Sequence, residues 1–252
     1  MAPTIHLIRH AQGVHNLSFE NESIRDPDLT ELGLSQCATV RSTFPAHDKL
    51  TVLAASPMRR TLHTCIHSVG REELYPVVAL DVLQEVSASG CDIGSPVERL
   101  TAEFGAKVDT SRVRENWTDK GEKSPFEPTL AKLTARAREA RRALRELAGD
   151  LSGDAHVAAV SHGGFLHFLT DDWHGIPTGS ATGWANCQFR SYQFVDPTGQ
   201  DDEAELVETE ESWRRRQGDR IPPTKTELRE MRSVVQKEVF PRLYIKEETS
   251  SL

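Results

Sequence analysis

The feature that most constrains the fold is a short apolar run that ends abruptly in polar residues. The segment from Thr4 to Ile8 is rich in residues that favour strands, and Arg9 and His10 follow it directly. Such a run predicts a buried strand of an α/β domain. Ligands of open α/β sheets bind beyond the carboxyl ends of the strands, so Arg9 and His10 are candidates for holding a small anionic group. A polar loop without function is the ordinary alternative at this stage.

The length, net charge and cysteine content limit the kinds of protein that this chain can be. The 252 residues suffice for a sizeable core in a single domain, and a formal charge of -8 argues against nucleic acid or an anionic membrane as the main partner. Four cysteines without a CxxC pair are typical of reduced thiols in an intracellular protein. No apolar run approaches the ~18 residues that span a bilayer, so we expect a cytoplasmic protein without a membrane span. A homodimer is left open.

Strands and helices alternate along the first half of the chain. Thr30 is a good N-cap for a helix over Leu34 to Arg41. The run from Leu50 to Ala55 predicts a second strand, after which Ser56 is expected to cap a helix that starts at Pro57. A helix N-terminus presents unpaired N–H groups and a positive dipole, so this junction is a second candidate anion site.

The pattern changes after a third predicted strand, Val77 to Leu83. From about residue 86 to 128, glycines and prolines interrupt any long periodicity, which predicts a lid-like insertion with at most one short helix, near Val97 to Phe104. Apolar residues then recur every three or four positions from Leu130 to Leu147. This spacing predicts an amphipathic helix whose opposite, arginine-rich face is solvated.

The second half ends in a change of composition. The run His156 to Val160 predicts a buried strand that leads into His162, and Gln188 to Val195 predicts a last, antiparallel strand at the sheet edge. Beyond it, about residues 198–252, charged residues dominate. We expect a partly ordered C-terminal appendage there, with a polar helix over Lys225 to Glu238.

The predicted strand ends deliver residues that share one chemistry. Arg9 and Arg60 offer forks of donors that suit phosphate oxygens and stay charged at any working pH. An imidazole such as His10, with His162 near it, is neutral around pH 7 and can attack phosphorus. Glu85, after the third strand, could protonate the leaving alkoxide and later activate water.

Five motifs, in this order, resemble those of the histidine phosphatase superfamily in its phosphoglycerate mutase-like branch. They are Leu7-Ile8-Arg9-His10-Ala11 with Asn16, Asp28-Leu29-Thr30 with Gly33 and Gln36, Ser56-Pro57-Met58-Arg59-Arg60-Thr61, Leu83-Gln84-Glu85, and Val160-Ser161-His162-Gly163-Gly164. The resemblance spans about residues 4–195. It implies a three-layer α/β sandwich with a mostly parallel central sheet flanked by helices.

The resemblance also implies a role for each site residue. The nucleophile that becomes phosphohistidine would be His10, and the proton donor would be Glu85. The residues expected to bind the phosphoryl group are Arg9, Asn16, Arg60, His162 and Gly163. The implied reaction is hydrolysis of a small phosphorylated substrate without metal or cofactor, and the lid is expected to set substrate choice.

Two other functions stay open. A mutase would return the phosphoryl group to its substrate, but no second cluster of cations is apparent for another phosphate. The fold could also serve as a catalytically silent phosphate-binding scaffold. Loss of a site residue would favour that interpretation, and none is lost.

Two details of the sequence bear on the site. Ala11 replaces the family's usual glycine, which we expect to be tolerated. His63 and His67 are four apart on a helix without an evident third metal ligand, so surface histidines are expected there.

Overall fold

The computed structural model describes residues 3–149 and 154–246, built around a seven-stranded sheet. The strands are β1 (Thr4–Arg9), β2 (Val52–Ala55), β3 (Val77–Ala79), β4 (Val108–Asp109), β5 (His156–Ser161), β6 (Phe189–Phe194) and β7 (Leu206–Glu208). The helices are α1 (Glu31–Thr43), α2 (Arg59–Ser68), α3 (Val97–Phe104), α4 (Leu130–Gly149), α5 (Gly163–Thr170), α6 (Glu210–Gln217) and α7 (Lys225–Val239). The strand order is β4-β3-β2-β5-β1-β6-β7.

The sheet is mostly parallel. Strands β4, β3, β2, β5 and β1 run in one direction, whereas β6 and β7 are antiparallel to their neighbours. Because β5 lies between β1 and β2, the residues that follow these three strands meet at one edge of the sheet. This register places the segments after Arg9, Ala55 and Ser161 side by side.

Helices cover both faces of the sheet, which confirms the predicted three-layer α/β class. One apolar layer joins Ile5 and Leu7 of β1 to α4, α5 and the end of α7. The other joins Ile8 of β1 to α1, α2 and α3. Successive strand residues therefore alternate between two cores, as buried parallel strands require.

The junction after β2 differs from the prediction. Helix α2 does not start at Pro57 with Ser56 as its cap; it starts at Arg59, with Met58 in the capping position. The side chain of Ser56 points to the imidazole of His162 instead, with Oγ 2.9 Å from Nε2. Ser56 does not cap the helix because its hydroxyl is hydrogen-bonded to His162.

Two predicted strands also need correction. The third strand ends at Ala79, and Asp81–Leu83 forms a 3-10 turn whose buried Asp81 carboxylate pairs with Arg114 at 2.9 Å. Strand β6 forms antiparallel to β1 as predicted, but it does not lie at the edge, since β7 pairs with it on the far side. The short helix predicted within the insertion is present as α3.

The C-terminal segment is docked on the core more closely than its composition predicts. Strand β7 extends the sheet, α7 matches the predicted helix, and Phe240, Leu243 and Ile245 are buried in an apolar layer. The prediction that the arginine-rich face of α4 is solvated is wrong at Arg141. This side chain is buried and donates to the Glu203 carbonyl at 2.7 Å. The acidic chain after β6 folds onto this arginine face. Residues 247–252 of the expected appendage lie outside the described residues.

The helices and cysteines of the described residues bear on two sequence-based expectations, the absence of a membrane span and the presence of reduced thiols. Within 3–149 and 154–246, no helix combines the length and apolarity that crossing a bilayer demands. All four cysteines are buried and unpaired.

Because the C-terminal segment packs on the core, a substitution at a buried position of the segment should destabilise the protein more than one at an exposed position. Phe240→Ala should lower the free energy of unfolding by about 3 kcal/mol, because it removes a buried aromatic ring from the core. Val234→Ala, a change at a position of α7 that is 62% exposed, should cost less than about 0.5 kcal/mol. Urea unfolding of both variants measures this difference, and equal effects would show that the segment does not contribute to the core.

Candidate active site

The loops beyond the central strands enclose a cavity of about 150 Å³. Six of the residues predicted for the site line it: Arg9, His10, Asn16, Arg60, Glu85 and Gly163. The seventh, His162, is fully buried directly behind the cavity, with its ring centroid 5.2 Å from that of His10. The sheet register thus brings together the residues that the sequence motifs single out.

The imidazole of His10 is oriented by its own loop. Its Nδ1 lies 2.7 Å from the Ala11 carbonyl, which can only accept, so Nδ1 carries the proton and Nε2 keeps its lone pair for the cavity. Burial, with the nearby charge of Arg60, holds the pKa of His10 well below its usual value. Ala11 has no positive φ and its N–H donates to Thr64 at 3.0 Å, so alanine fits where the family has glycine.

Two arginines flank this imidazole with donors to spare. The Arg60 side chain is fully buried; its guanidinium donates to the Cys91 carbonyl at 2.6 Å and to Asp92 at 3.0 Å. Arg9 is held by a hydrogen bond to the Trp184 carbonyl. The Nε atoms of both arginines are buried without a partner among the described residues. Buried donors without a partner cost free energy.

His162 bridges the ends of β2 and β5. Its Nδ1 lies 3.1 Å from Nη2 of Arg60, which can only donate, so Nδ1 accepts and Nε2–H donates to Ser56. Both ring nitrogens are therefore engaged, and the tautomer is fixed. Burial, followed by the charge of Arg60, lowers the pKa of His162 well below its usual value, so this ring is neutral as well.

Glu85 places its carboxylate over the start of α5. It accepts hydrogen bonds from the N–H groups of Gly164 at 3.1 Å and Phe165 at 2.8 Å, and from Val86 at 2.9 Å. Removal from water raises the pKa of Glu85, and the charge of Asp92 raises it further, while these backbone donors oppose the shift. A carboxyl group with a raised pKa that borders the cavity is suited to give up a proton during a reaction.

Two buried cations fix the peptide that carries this carboxylate. Lys120 Nζ lies 3.3 Å from the Glu85 carbonyl, and Arg136 Nη2 donates to the carbonyls of Gln84 at 3.1 Å and Glu85 at 3.2 Å. Burial lowers the pKa of Lys120 to about 7. Sequence reasoning missed both residues, because Lys120 lies in the irregular insertion and Arg136 belongs to a helix predicted from its apolar face alone.

Two glycines at the start of α5, Gly163 and Gly164, let side chains of the site approach the backbone closely. A Cβ on Gly163 would lie 2.8 Å from Thr182 Cγ2 and 3.1 Å from Arg9 Nε. A Cβ on Gly164 would lie 2.7 Å from Glu85 Oε1. A Cβ at either position would displace one of these side chains, because Arg9, Thr182 and Glu85 approach the backbone itself.

Several further side chains line the cavity, and His15 and Asp92 are two that the sequence did not identify as site residues. The ring centroid of His15 lies 5.4 Å from that of His10, and burial lowers the pKa of His15 to about 2. Asp92 joins Arg60 in a buried ion pair and accepts from Ser87 at 2.6 Å. His15 lies in the loop after β1, so its position in the sequence could have identified it as a site residue. Nothing in the local sequence identifies Asp92, which lies in the insertion.

A separate group at the surface has the composition of a metal site. Ligand atoms of Asp28, His63 and Glu103 lie within 4.8 Å of one another, and His67 is not part of this group. Arg59 already pairs with Asp28 at 2.6 Å and with Glu103 at 2.7 Å. Its guanidinium supplies the positive charge that a cation would otherwise bring.

The chain is similar to known proteins over most of its length. The family model of the histidine phosphatase superfamily, branch 1, matches residues 5–208. A phosphoglycerate mutase-like protein of Arabidopsis thaliana is 27% identical over 236 residues, covering 77% of this chain and 84% of the relative. A second one from the same plant is 28% identical over 235 residues, covering 77% and 81%.

Solved structures share the fold. A mycobacterial glucosyl-3-phosphoglycerate phosphatase has a TM-score of 0.51 at 19% identity, covering 82% of this chain and 97% of its own. Mycobacterial hydrolase 2 has a TM-score of 0.54 at 17% identity, covering 92% and 97%. With a family model that matches most of its length, the chain belongs to branch 1 of the histidine phosphatase superfamily.

Proposed function

We propose that the protein is a metal-independent phosphatase that hydrolyses a small phosphomonoester through a phosphohistidine intermediate on His10. One observation carries the proposal: the neutral, oriented imidazole of His10 lines the same cavity as Arg9 and Arg60, and the buried Nε atoms of both arginines have no partner among the described residues. Oriented donors of this kind stabilise the charge on a transferring phosphoryl group. Family membership and the phosphatase among the structures of the same fold support it.

The first step transfers the phosphoryl group to His10. The lone pair of His10 Nε2 attacks phosphorus, the bond from phosphorus to the leaving oxygen breaks, and Glu85 gives that oxygen its proton. Arg9 and Arg60 hold the equatorial oxygens. The Ala11 carbonyl stabilises the positive charge that develops on the imidazole, because it accepts the Nδ1 proton at 2.7 Å.

The second step releases phosphate. Glu85, now a carboxylate, takes a proton from a water molecule whose oxygen attacks phosphorus, and the bond between Nε2 and phosphorus breaks. Glu85 regains its proton and His10 its neutral form, so the cycle closes without a metal or cofactor.

The cations around the cavity favour hydrolysis over mutase chemistry. Among the described residues that line it, the arginines are Arg9, Arg60 and Arg242. Since the first two serve one phosphoryl group, a single cation remains, which is few for a second phosphate. A cavity of about 150 Å³ also limits the substrate to a small molecule.

Removing the nucleophile tests the phosphohistidine step. His10→Ala should lower the hydrolysis rate of an aryl phosphate, measured with a chelator present, by at least about a thousandfold, because no other group can carry the phosphoryl intermediate. His67→Ala, at an exposed position of α2, should leave the rate unchanged. Loss of wild-type turnover in chelator, or a His10→Ala enzyme that stays active, would contradict the mechanism.

The acid is tested by varying the leaving group. Glu85→Gln should lower kcat/KM, which reports the step that releases the leaving group, by about a hundredfold or more for alkyl phosphates but much less for aryl phosphates, since a phenolate leaves without a proton. A raised pKa keeps Glu85 protonated to higher pH, so wild-type activity on alkyl phosphates should decline only above the usual carboxyl range. Glu115→Gln is the control, as Glu115 is exposed in the insertion. Equal losses of kcat/KM for both leaving groups would remove Glu85 from the acid role.

The close approach at Gly163 is tested by adding one methyl group. Gly163→Ala should raise the inhibition constant of inorganic phosphate about tenfold or more, because the methyl displaces Arg9 or Thr182. Gly149→Ala provides the control, since a Cβ there would meet no atom within 4 Å in the part of the chain that the structure describes. Competition kinetics with an aryl phosphate measures both constants, and an unchanged constant for Gly163→Ala would show that the contact does not matter.

A further inference from the structure

The loop between α5 and β6, residues 171–188, holds one of the two arginines of the proposed phosphoryl site. It contains no helix or strand. Its Trp184 carbonyl accepts a hydrogen bond from Nη1 of Arg9, and Ala181 and Thr182 of the same loop line the cavity. A long loop without secondary structure depends on side-chain contacts to stay in one position. The position of Arg9 therefore depends on what fixes this loop.

His167, in the last turn of α5, is fully buried and contacts the loop with both ring nitrogens. Its Nδ1 lies 2.6 Å from the Asp172 carbonyl, which can only accept, so Nδ1 carries the proton. Its Nε2 therefore has a lone pair, which accepts from the N–H of Gly183 at 3.1 Å. Burial lowers the pKa of His167 and keeps the ring neutral, as this arrangement of donor and acceptor requires. One imidazole thus joins two parts of the loop.

The Thr182 hydroxyl connects His167 to the carbonyl that holds Arg9. Its Oγ1 lies 3.0 Å from Nε2 of His167 and accepts from the N–H of Trp184 at 3.1 Å. The same hydroxyl donates to the Gly163 carbonyl at 3.0 Å, at the start of α5. These contacts fix the backbone around Thr182 against α5, and the Trp184 carbonyl is fixed with it.

A second side chain, Arg190 of β6, holds the same stretch of the loop. Its guanidinium lies 3.8 Å from the ring centroid of Trp184, donates to the Gly183 carbonyl at 3.3 Å and pairs with Asp172 at 3.1 Å. Neither His167 nor Arg190 is among the residues that line the cavity. Any effect of His167 on an oxyanion in the cavity must therefore act through the loop.

We propose that His167 is a positioning residue for the phosphoryl site, which fixes the 171–188 loop so that the Trp184 carbonyl holds Arg9 in place. The inference rests on the proposed function, since it assumes that Arg9 binds the phosphoryl group. Without the imidazole, the Gly183 N–H and the Asp172 carbonyl each lose a hydrogen-bond partner, so the loop no longer has one favoured position. Arg9 then loses a fixed acceptor, and its contact with an oxyanion weakens.

A double-mutant cycle with Arg9 tests this inference. The probe is tungstate, a tetrahedral oxyanion, and calorimetry measures its dissociation constant without turnover. His167→Phe keeps an aromatic ring but neither hydrogen bond, so it should raise the dissociation constant about tenfold. Arg9→Gln should raise it at least as much. The double variant should bind no more weakly than Arg9→Gln alone, because His167 acts through Arg9.

Two further variants separate positioning from general stability. His167→Gln keeps one amide donor and one carbonyl acceptor, so it should bind tungstate within about threefold of the wild-type protein. Val40→Ala removes buried volume from the apolar layer on the other face of the sheet, so it should lower stability and leave the dissociation constant unchanged. If His167→Phe does not fold, Thr182→Val takes its place in the cycle, because it removes the hydroxyl that accepts from Trp184.

Three results of the cycle would overturn the inference: an unchanged constant in His167→Phe, effects of the two substitutions that add in full, or a His167→Gln protein as weak as His167→Phe. A Val40→Ala loss as large as that of His167→Phe, or a wild-type protein that does not bind tungstate, would overturn it as well. Turnover of an aryl phosphate by the wild-type protein decides the proposed function separately, so the two failures are distinguishable.

Discussion

The buried guanidinium of Arg60 is the interaction on which the site depends. It connects α2 with the insertion through Cys91 and Asp92, and with the end of β5 through His162. A buried cation is stable only with partners on several sides, and removing one of them typically costs about 3–5 kcal/mol. The same group that fixes three parts of the chain therefore also presents positive charge to the cavity.

Burial, reinforced by that charge, keeps the imidazoles around Arg60 neutral. His10, His15 and His162 lie close to Arg60, and burial together with its charge lowers the pKa of each. Neutral rings are what nucleophilic attack requires, because a protonated imidazole has no lone pair to offer. Glu85 shows the opposite shift, since burial raises the pKa of a carboxyl group. One desolvated site thus prepares a base and an acid at the same pH.

The parts of the chain with the least regular sequence form the walls of this site. The insertion supplies Asp92 and the peptide contact of Lys120, and the C-terminal segment supplies Arg242. Their anchors are apolar side chains such as Trp117 and Phe240, both buried. A rigid sheet thus positions the residues of the proposed phosphoryl transfer, while two packed but irregular segments form other walls of the cavity.

The sequence by itself determined the parallel α/β class, most strand and helix positions, and the residues at the strand ends, because apolar periodicity and adjacent polar residues are local signals. It did not determine that Ser56 would bond His162 instead of capping α2, nor that Arg141 would be buried, since both depend on the position of distant segments. Only the tertiary structure placed Asp92 on Arg60 and Arg242 at the cavity. Contacts between residues far apart in sequence leave no local pattern, so folding alone decides them.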